Sequence, residues 1–134
     1  MSLFSCQPYT LRVLVVDDHE LTRFSLKLAF SGQENIELVG LASNGREAIE
    51  LVKRYHPNVI ILDLQMPVLD GWNASTQIKH IDPNTQIIAY SSVEDPKFKG
   101  PSSTDSLDAF CQKDTATPEL IALVRELGRR AVGR

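Results

Sequence analysis

Three kinds of polar side chain in this sequence have the chemistry and the placement to act together. Carboxylates stand side by side at Asp17-Asp18 and again at Asp63, a hydroxyl at Ser91, and an ammonium at Lys113. Each falls directly behind a short apolar run. Taken singly, each has a plain reading: a helix cap, a turn residue or a solvated lysine. Taken together they are costly, because three gathered carboxylates repel one another and raise each other's pKa. A fold tolerates that when a cation sits among them. An all-oxygen donor set suits Mg²⁺ (or Mn²⁺), a hard cation that keeps several waters and accepts one or two carboxylates beside phosphate oxygens.

The elements that must position these groups are legible from the apolar pattern. Val13–Val16, Val59–Leu62 and Ile87–Tyr90 are continuous, largely β-branched runs. Continuous runs mark parallel strands covered on both faces. Ile36–Ala42 and Ala109–Gln112 are weaker strand candidates. Between the runs lie stripes at helical spacing: Leu21, Phe24, Leu28; Ala48, Val52, Tyr55; and Leu120, Leu123 or Val124, Leu127. Asn44 with Glu47 three residues on predicts a capping box, and Thr117-Pro118 predicts an N-cap followed by proline at the first helical position. His56-Pro57 closes the second helix, since a residue before proline avoids the helical region. The alternation predicts a doubly wound α/β domain with a five-stranded parallel sheet and helices on both faces. Sites in such sheets lie at the carboxyl ends of the strands, where the polar residues fall.

Composition narrows the classes. The chain has 134 residues, 14 Lys+Arg against 17 Asp+Glu, and a net charge of −3. That is a one-domain length, and the charge argues against direct nucleic-acid binding through a basic surface. No apolar run reaches the roughly 18–20 residues that span a bilayer. The N-terminus lacks a signal-peptide pattern, so the expected localisation is cytoplasmic, with no membrane partner. Two cysteines, Cys6 and Cys111, make no disulfide scaffold, and no Cys or His stands at zinc-finger spacing. Residues 1–10 read as a loose leader and 11–134 as the domain.

The segments Arg12–Glu20 (RVLVVDDHE), Val59–Gly71 (VIILDLQMPVLDG), Ile87–Ser92 (IIAYSS) and Phe110–Asp114 (FCQKD) resemble the receiver domain of bacterial two-component response regulators. The resemblance spans about residues 11–131 and is greatest to the NarL/LuxR type. Spacing agrees too, with 45, 28 and 22 residues from Asp18 to Asp63, Ser91 and Lys113 in turn. It implies a flavodoxin-like strand order 2-1-3-4-5. It makes Asp63 the phosphoacceptor, attacking a phosphohistidine or a small donor such as acetyl phosphate. Asp18, Asp63 and the Gln65 backbone carbonyl would hold Mg²⁺, with Asp17 acting through a metal-bound water. Lys113 and Ser91 would meet phosphoryl oxygens, and Ser91 and Phe110 would form the switch. The implied partners are a sensor histidine kinase or phosphotransfer protein, and a downstream effector or DNA-binding domain outside this chain; a homodimer is left open. The domain would be no enzyme beyond its own phosphorylation and dephosphorylation.

Three departures stand out. Ser91 replaces a common threonine, and Ser92 a common alanine. In residues 93–106 (VEDPKFKGPSSTDS), Pro96 and Gly100-Pro101 interrupt any helix where the family has its fourth. That predicts a degenerate fourth helix, irregular over residues 95–106, and puts the usual output surface in question. Rival classes fare worse. A haloacid-dehalogenase-type phosphatase needs an aspartate where Gln65 stands, and a flavodoxin-like FMN site would be repelled by Asp17-Asp18. A pseudo-receiver, binding partners without phosphorylation, is the alternative that the odd segment favours and the full set of site residues opposes.

Overall fold

The computed structural model describes residues 10–66, 68–92 and 106–132. Strands and helices alternate as β1 (Leu11–Val16), α1 (Glu20–Ser31), β2 (Ile36–Ala42), α2 (Gly45–Tyr55), β3 (Val59–Asp63), α3 (Gly71–Ile81), β4 (Gln86–Ser91), β5 (Ala109–Gln112) and α4 (Thr117–Val132). The strands form one parallel sheet in the order β2-β1-β3-β4-β5. The doubly wound fold and its flavodoxin-like order are therefore as the sequence implied. The expectation of an irregular segment over 95–106 falls almost wholly outside the described residues; Ser106 itself lies in a turn.

The three continuous runs are buried on both sides because the strand period of two sends alternate residues to opposite helical layers. Val13, Val15, Val59, Ile61 and Ile88 pack with Leu26 and Phe30 of α1 and with Leu120, Val124 and Leu127 of α4. Leu14, Val16, Ile60, Leu62, Ile87 and Ala89 pack with Ala48 and Val52 of α2 and Ala74 and Ile78 of α3. At roughly 1.5–3 kcal/mol for each fully buried aliphatic side chain, these two layers hold the sheet rigid. That rigidity fixes the positions of the groups on its carboxyl edge.

Local signals hold with adjustments. Asn44 caps α2, its Oδ1 accepting the Glu47 N–H at 2.9 Å. The reciprocal arm reaches one residue further back than a standard box: Glu47 accepts from the Ser43 N–H at 2.7 Å and the Ser43 hydroxyl at 2.8 Å. His56 does end α2, but by entering the left-handed region at φ 46° rather than an extended one. α4 begins at Thr117, one residue before the expected first helical position.

One expectation fails. The Leu21, Phe24, Leu28 stripe is not the buried face of α1: these residues are 79%, 54% and 58% exposed, whereas Leu26 and Phe30 are buried. α1 carries two apolar stripes, and the one that meets Val13, Val15 and Ile61 is Leu26 and Phe30. Burial of Leu26 and Phe30 against the sheet fixes this orientation, and it is consistent with Arg23 reaching the strand end, its Nη1 donating to the Asp17 carbonyl at 2.7 Å.

Candidate functional site: an acidic cluster at the carboxyl edge of the sheet

Register brings the polar residues together. Val16 pairs with Leu62, so the next residues, Asp17 and Asp63, leave β1 and β3 side by side. Asp63 pairs in turn with Tyr90, which precedes Ser91. Ser91 pairs with Gln112, and the Ser91 carbonyl accepts the Lys113 N–H at 2.7 Å. Asp17, Asp63 and Ser91 are almost fully buried, at 1%, 3% and 1% exposure.

Lys113 is the group that balances this charge. Its Nζ lies 2.7 Å from Asp17 Oδ2 and 3.5 Å from Asp63 Oδ2. It also lies 5.8 Å from the centre of the Tyr90 ring, whose face favours a cation there. The lysine expected to meet a phosphoryl group is thus held between two carboxylates. Gln65 sends its N–H to Asp63 Oδ1 at 3.0 Å, fixing the backbone that carries its carbonyl. Phe110 is half-buried on β5 beside Ala89, packed against the α2/α3 side of the core.

The electrostatics of Asp63 are set by burial. Desolvation pushes its pKa up to about 6, reinforced by the Asp17 charge and by contact with Asp18, and opposed by the Gln65 N–H and the Lys113 ammonium. A carboxyl in this state is poised between protonation and ionisation near neutrality, so any cation brought to it favours the nucleophilic form. Donor atoms of Asp17, Asp18, His19 and Asp63 lie within 4.8 Å of one another. Asp18 Oδ1 is buried with no aligned hydrogen-bond donor. A buried carboxylate oxygen without an aligned donor, among three acids, fits a divalent cation, and the carboxylates of the cluster suit a hard one.

Sequence reasoning missed three contributors. His19 directly follows Asp17-Asp18, which is the one signal in the sequence that points to it. Its Nδ1 lies 2.9 Å from Asp17 Oδ1 and 3.1 Å from Asp18 Oδ1. Asp70 is the N-cap of α3, accepting the Asn73 N–H at 2.9 Å. Gly71 serves a close approach: a Cβ there would sit 2.3 Å from the Asp63 carbonyl oxygen. Gly71 lets α3 start directly against the backbone of Asp63.

A five-stranded 2-1-3-4-5 sheet with carboxylates on β1 and β3 and a lysine behind β5 defines a class of signalling domain. The model of the response regulator receiver domain matches residues 13–125, and this chain belongs to that family, with NarL/LuxR-like character. It is 33% identical over 120 residues to the response regulator protein VraR of Staphylococcus aureus, covering 90% of this chain and 57% of that protein. It is 32% identical over 111 residues to the uncharacterized transcriptional regulatory protein YhcZ of Bacillus subtilis, covering 83% and 52%. The chain thus spans about half the length of these curated relatives. Among solved structures, the signal receiver domain assigned to NarL of Mycobacterium tuberculosis aligns with a TM-score of 0.82 at 30% identity, over 95% of this chain and all of that one. The response regulator domain of Thermotoga maritima CheB aligns at 0.79 and 30%, over 90% and 97%. Receiver domains are signalling modules that bind Mg²⁺ at an acidic pocket, and the cluster at Asp17, Asp18 and Asp63 occupies that place here. Among the described residues no helix is long and apolar enough to cross a membrane.

Proposed function

We propose that this chain accepts a phosphoryl group on Asp63 from a histidine kinase or phosphotransfer protein, and that the acyl phosphate switches a protein-interaction surface. The observation that carries the reading is Lys113 poised between Asp17 and Asp63 at the edge where the carboxylates gather. In the transfer, a carboxylate oxygen of Asp63 forms a bond to phosphorus. The bond from phosphorus to the donor nitrogen, or to the acetyl phosphate oxygen, breaks, and the leaving group keeps the electron pair. Such a transfer asks the protein for positioning and charge neutralisation. Asp18, Asp63 and the Gln65 carbonyl would hold Mg²⁺ or Mn²⁺, with Asp17 acting through water, and the bound cation would neutralise charge on the equatorial oxygens. Lys113 turns its ammonium from the two carboxylates to a phosphoryl oxygen, and Ser91 donates its hydroxyl to another.

The readout follows from the same edge. A phosphoryl group adds up to about two negative charges and three acceptor oxygens. Ser91 moves toward it, and Phe110 turns into the space released, biasing the surface around β4 and β5. The output would act in transcriptional regulation, a reading that the printed name of the YhcZ relative supports, through a DNA-binding domain or another effector outside this chain, with residues 1–10 as a leader and 11–134 as the domain. The working compartment is the cytoplasm, and no turnover of another substrate is involved.

Acetyl phosphate with Mg²⁺ tests the reading by intact-mass measurement. One added phosphoryl group is expected on the wild type and none on Asp63→Asn. No addition under any condition would hand the chain to the pseudo-receiver reading.

A further inference from the structure

We infer that His19 is a ligand-side residue of the cation site, and that it gives this receiver a preference for first-row transition cations over Mg²⁺. The inference rests on the cation reading above and extends it to a nitrogen donor. His19 Nδ1 stands 2.9 Å from Asp17 Oδ1 and 3.1 Å from Asp18 Oδ1, and the ligand atoms of all four residues lie within 4.8 Å of one another. Two metal–ligand bonds of about 2.1 Å at a right angle place their donor atoms about 3.0 Å apart. The 2.9 Å contact is a hydrogen bond between His19 Nδ1 and Asp17 Oδ1, and its length matches the separation of neighbouring ligands on one ion, so a cation could take the place of the shared proton.

Two features fix it there. The His19 N–H donates to Asp17 Oδ1 at 2.8 Å, which turns the loop after β1 so that backbone and ring converge on the same carboxylate. Asp18 Oδ1 is buried and lacks an aligned hydrogen-bond donor, with His19 Nδ1 its near neighbour at 3.1 Å. The ring itself is largely exposed, at 64%, so nothing in the core requires it to point inward. Chemistry then sets the preference. Mg²⁺ is a hard ion served by oxygen, and an imidazole adds little to its hold. Cobalt, nickel and zinc ions bind imidazole strongly. One imidazole added to the carboxylates widens the margin by which these ions are preferred over Mg²⁺.

Titration calorimetry of Mg²⁺ and Co²⁺ into the wild type, His19→Gln and Asp18→Asn tests this, with the visible absorption of bound Co²⁺ recorded alongside. The wild type should hold Co²⁺ tighter than Mg²⁺ by about tenfold or more. His19→Gln, at an exposed position, should lose most of that margin, shift the Co²⁺ band and leave Mg²⁺ affinity within about twofold. Asp18→Asn should lose both ions. An unchanged margin and spectrum in His19→Gln would overturn the inference while leaving the acidic cation site standing. A Co²⁺ signal that survives Asp18→Asn would belong to His56 or His80 and would overturn it too. Failure of either ion to bind the wild type would remove the cation reading itself, and the inference with it.

Discussion

Lys113 sits closer to Asp17 than to Asp63: its Nζ is 2.7 Å from the first carboxylate and 3.5 Å from the second. Asp17 is 1% exposed, so the ammonium is what makes its burial tolerable. The resting pair thus stores the lysine beside the acceptor, ready to exchange one anion for another.

Lys113→Ala should therefore cost more than a lost surface contact. Removing one partner leaves a buried, uncompensated charge, which costs about 3 kcal/mol. Mg²⁺ should recover part of that loss by replacing the missing positive charge. Urea unfolding in EDTA and in Mg²⁺ reads both effects. Equal midpoints for variant and wild type in EDTA would contradict the pairing.

Asp63 makes stability depend on pH. Its folded pKa is raised to about 6 from 3.8, so between those values the native state holds more protons than the unfolded chain. Stability is then fully present below pH 3.8 in this respect and falls as pH rises toward 6. Asp63→Asn lacks that penalty and should be more stable than wild type at pH 7.5 by about 1 to 3 kcal/mol. The gap should close toward pH 4, and with Mg²⁺ present. Parallel melting-temperature curves across this range would show that burial does not perturb Asp63.

The helix α1 is where the sequence could mislead. Leu21, Phe24 and Leu28 repeat at helical spacing as well as Leu26 and Phe30 do, and periodicity cannot choose between two stripes. The choice is made by tertiary packing, Leu26 and Phe30 against Val13, Val15 and Ile61, that no local pattern records. The strands were readable because burial on both faces forces continuous apolar runs, and the site was readable because the runs end where the polar residues begin. His19 was not, because its role depends on a loop geometry that brings Nδ1 to Asp17 and Asp18. The role of Gly71 is not legible either, because a missing Cβ looks alike whether it serves a turn or a close approach.

The rotation of α1 has a direct test. Phe24→Lys, at an outward position, should change stability by less than about 0.5 kcal/mol. Leu26→Ala, at a position 4% exposed, should cost about 3 kcal/mol. The reverse order would mean the helix buries its other stripe.

Gly71→Ala should damage the acceptor through its backbone. A Cβ would fall 2.3 Å from the Asp63 carbonyl oxygen and 2.7 Å from Leu64 Cα, so strand and helix must part. Overpacking of this kind costs about 1–3 kcal/mol. Phosphorylation by acetyl phosphate should slow as well, since the carboxylate shifts with its backbone. Full stability and an unchanged rate together would show that the junction has room to spare.

In the phosphorylation proposed above, the phosphoryl group becomes bonded to the carboxylate of one residue, Asp63. An acyl phosphate is reduced by borohydride to an alcohol, which turns the modified aspartate into homoserine, whereas a phosphoester or phosphohistidine is not converted. After incubation with acetyl phosphate and Mg²⁺, reduction and peptide sequencing by mass spectrometry should find homoserine at position 63 and aspartate at positions 17 and 18. Homoserine at either of those two positions instead, or none anywhere in phosphorylated protein, would contradict the account.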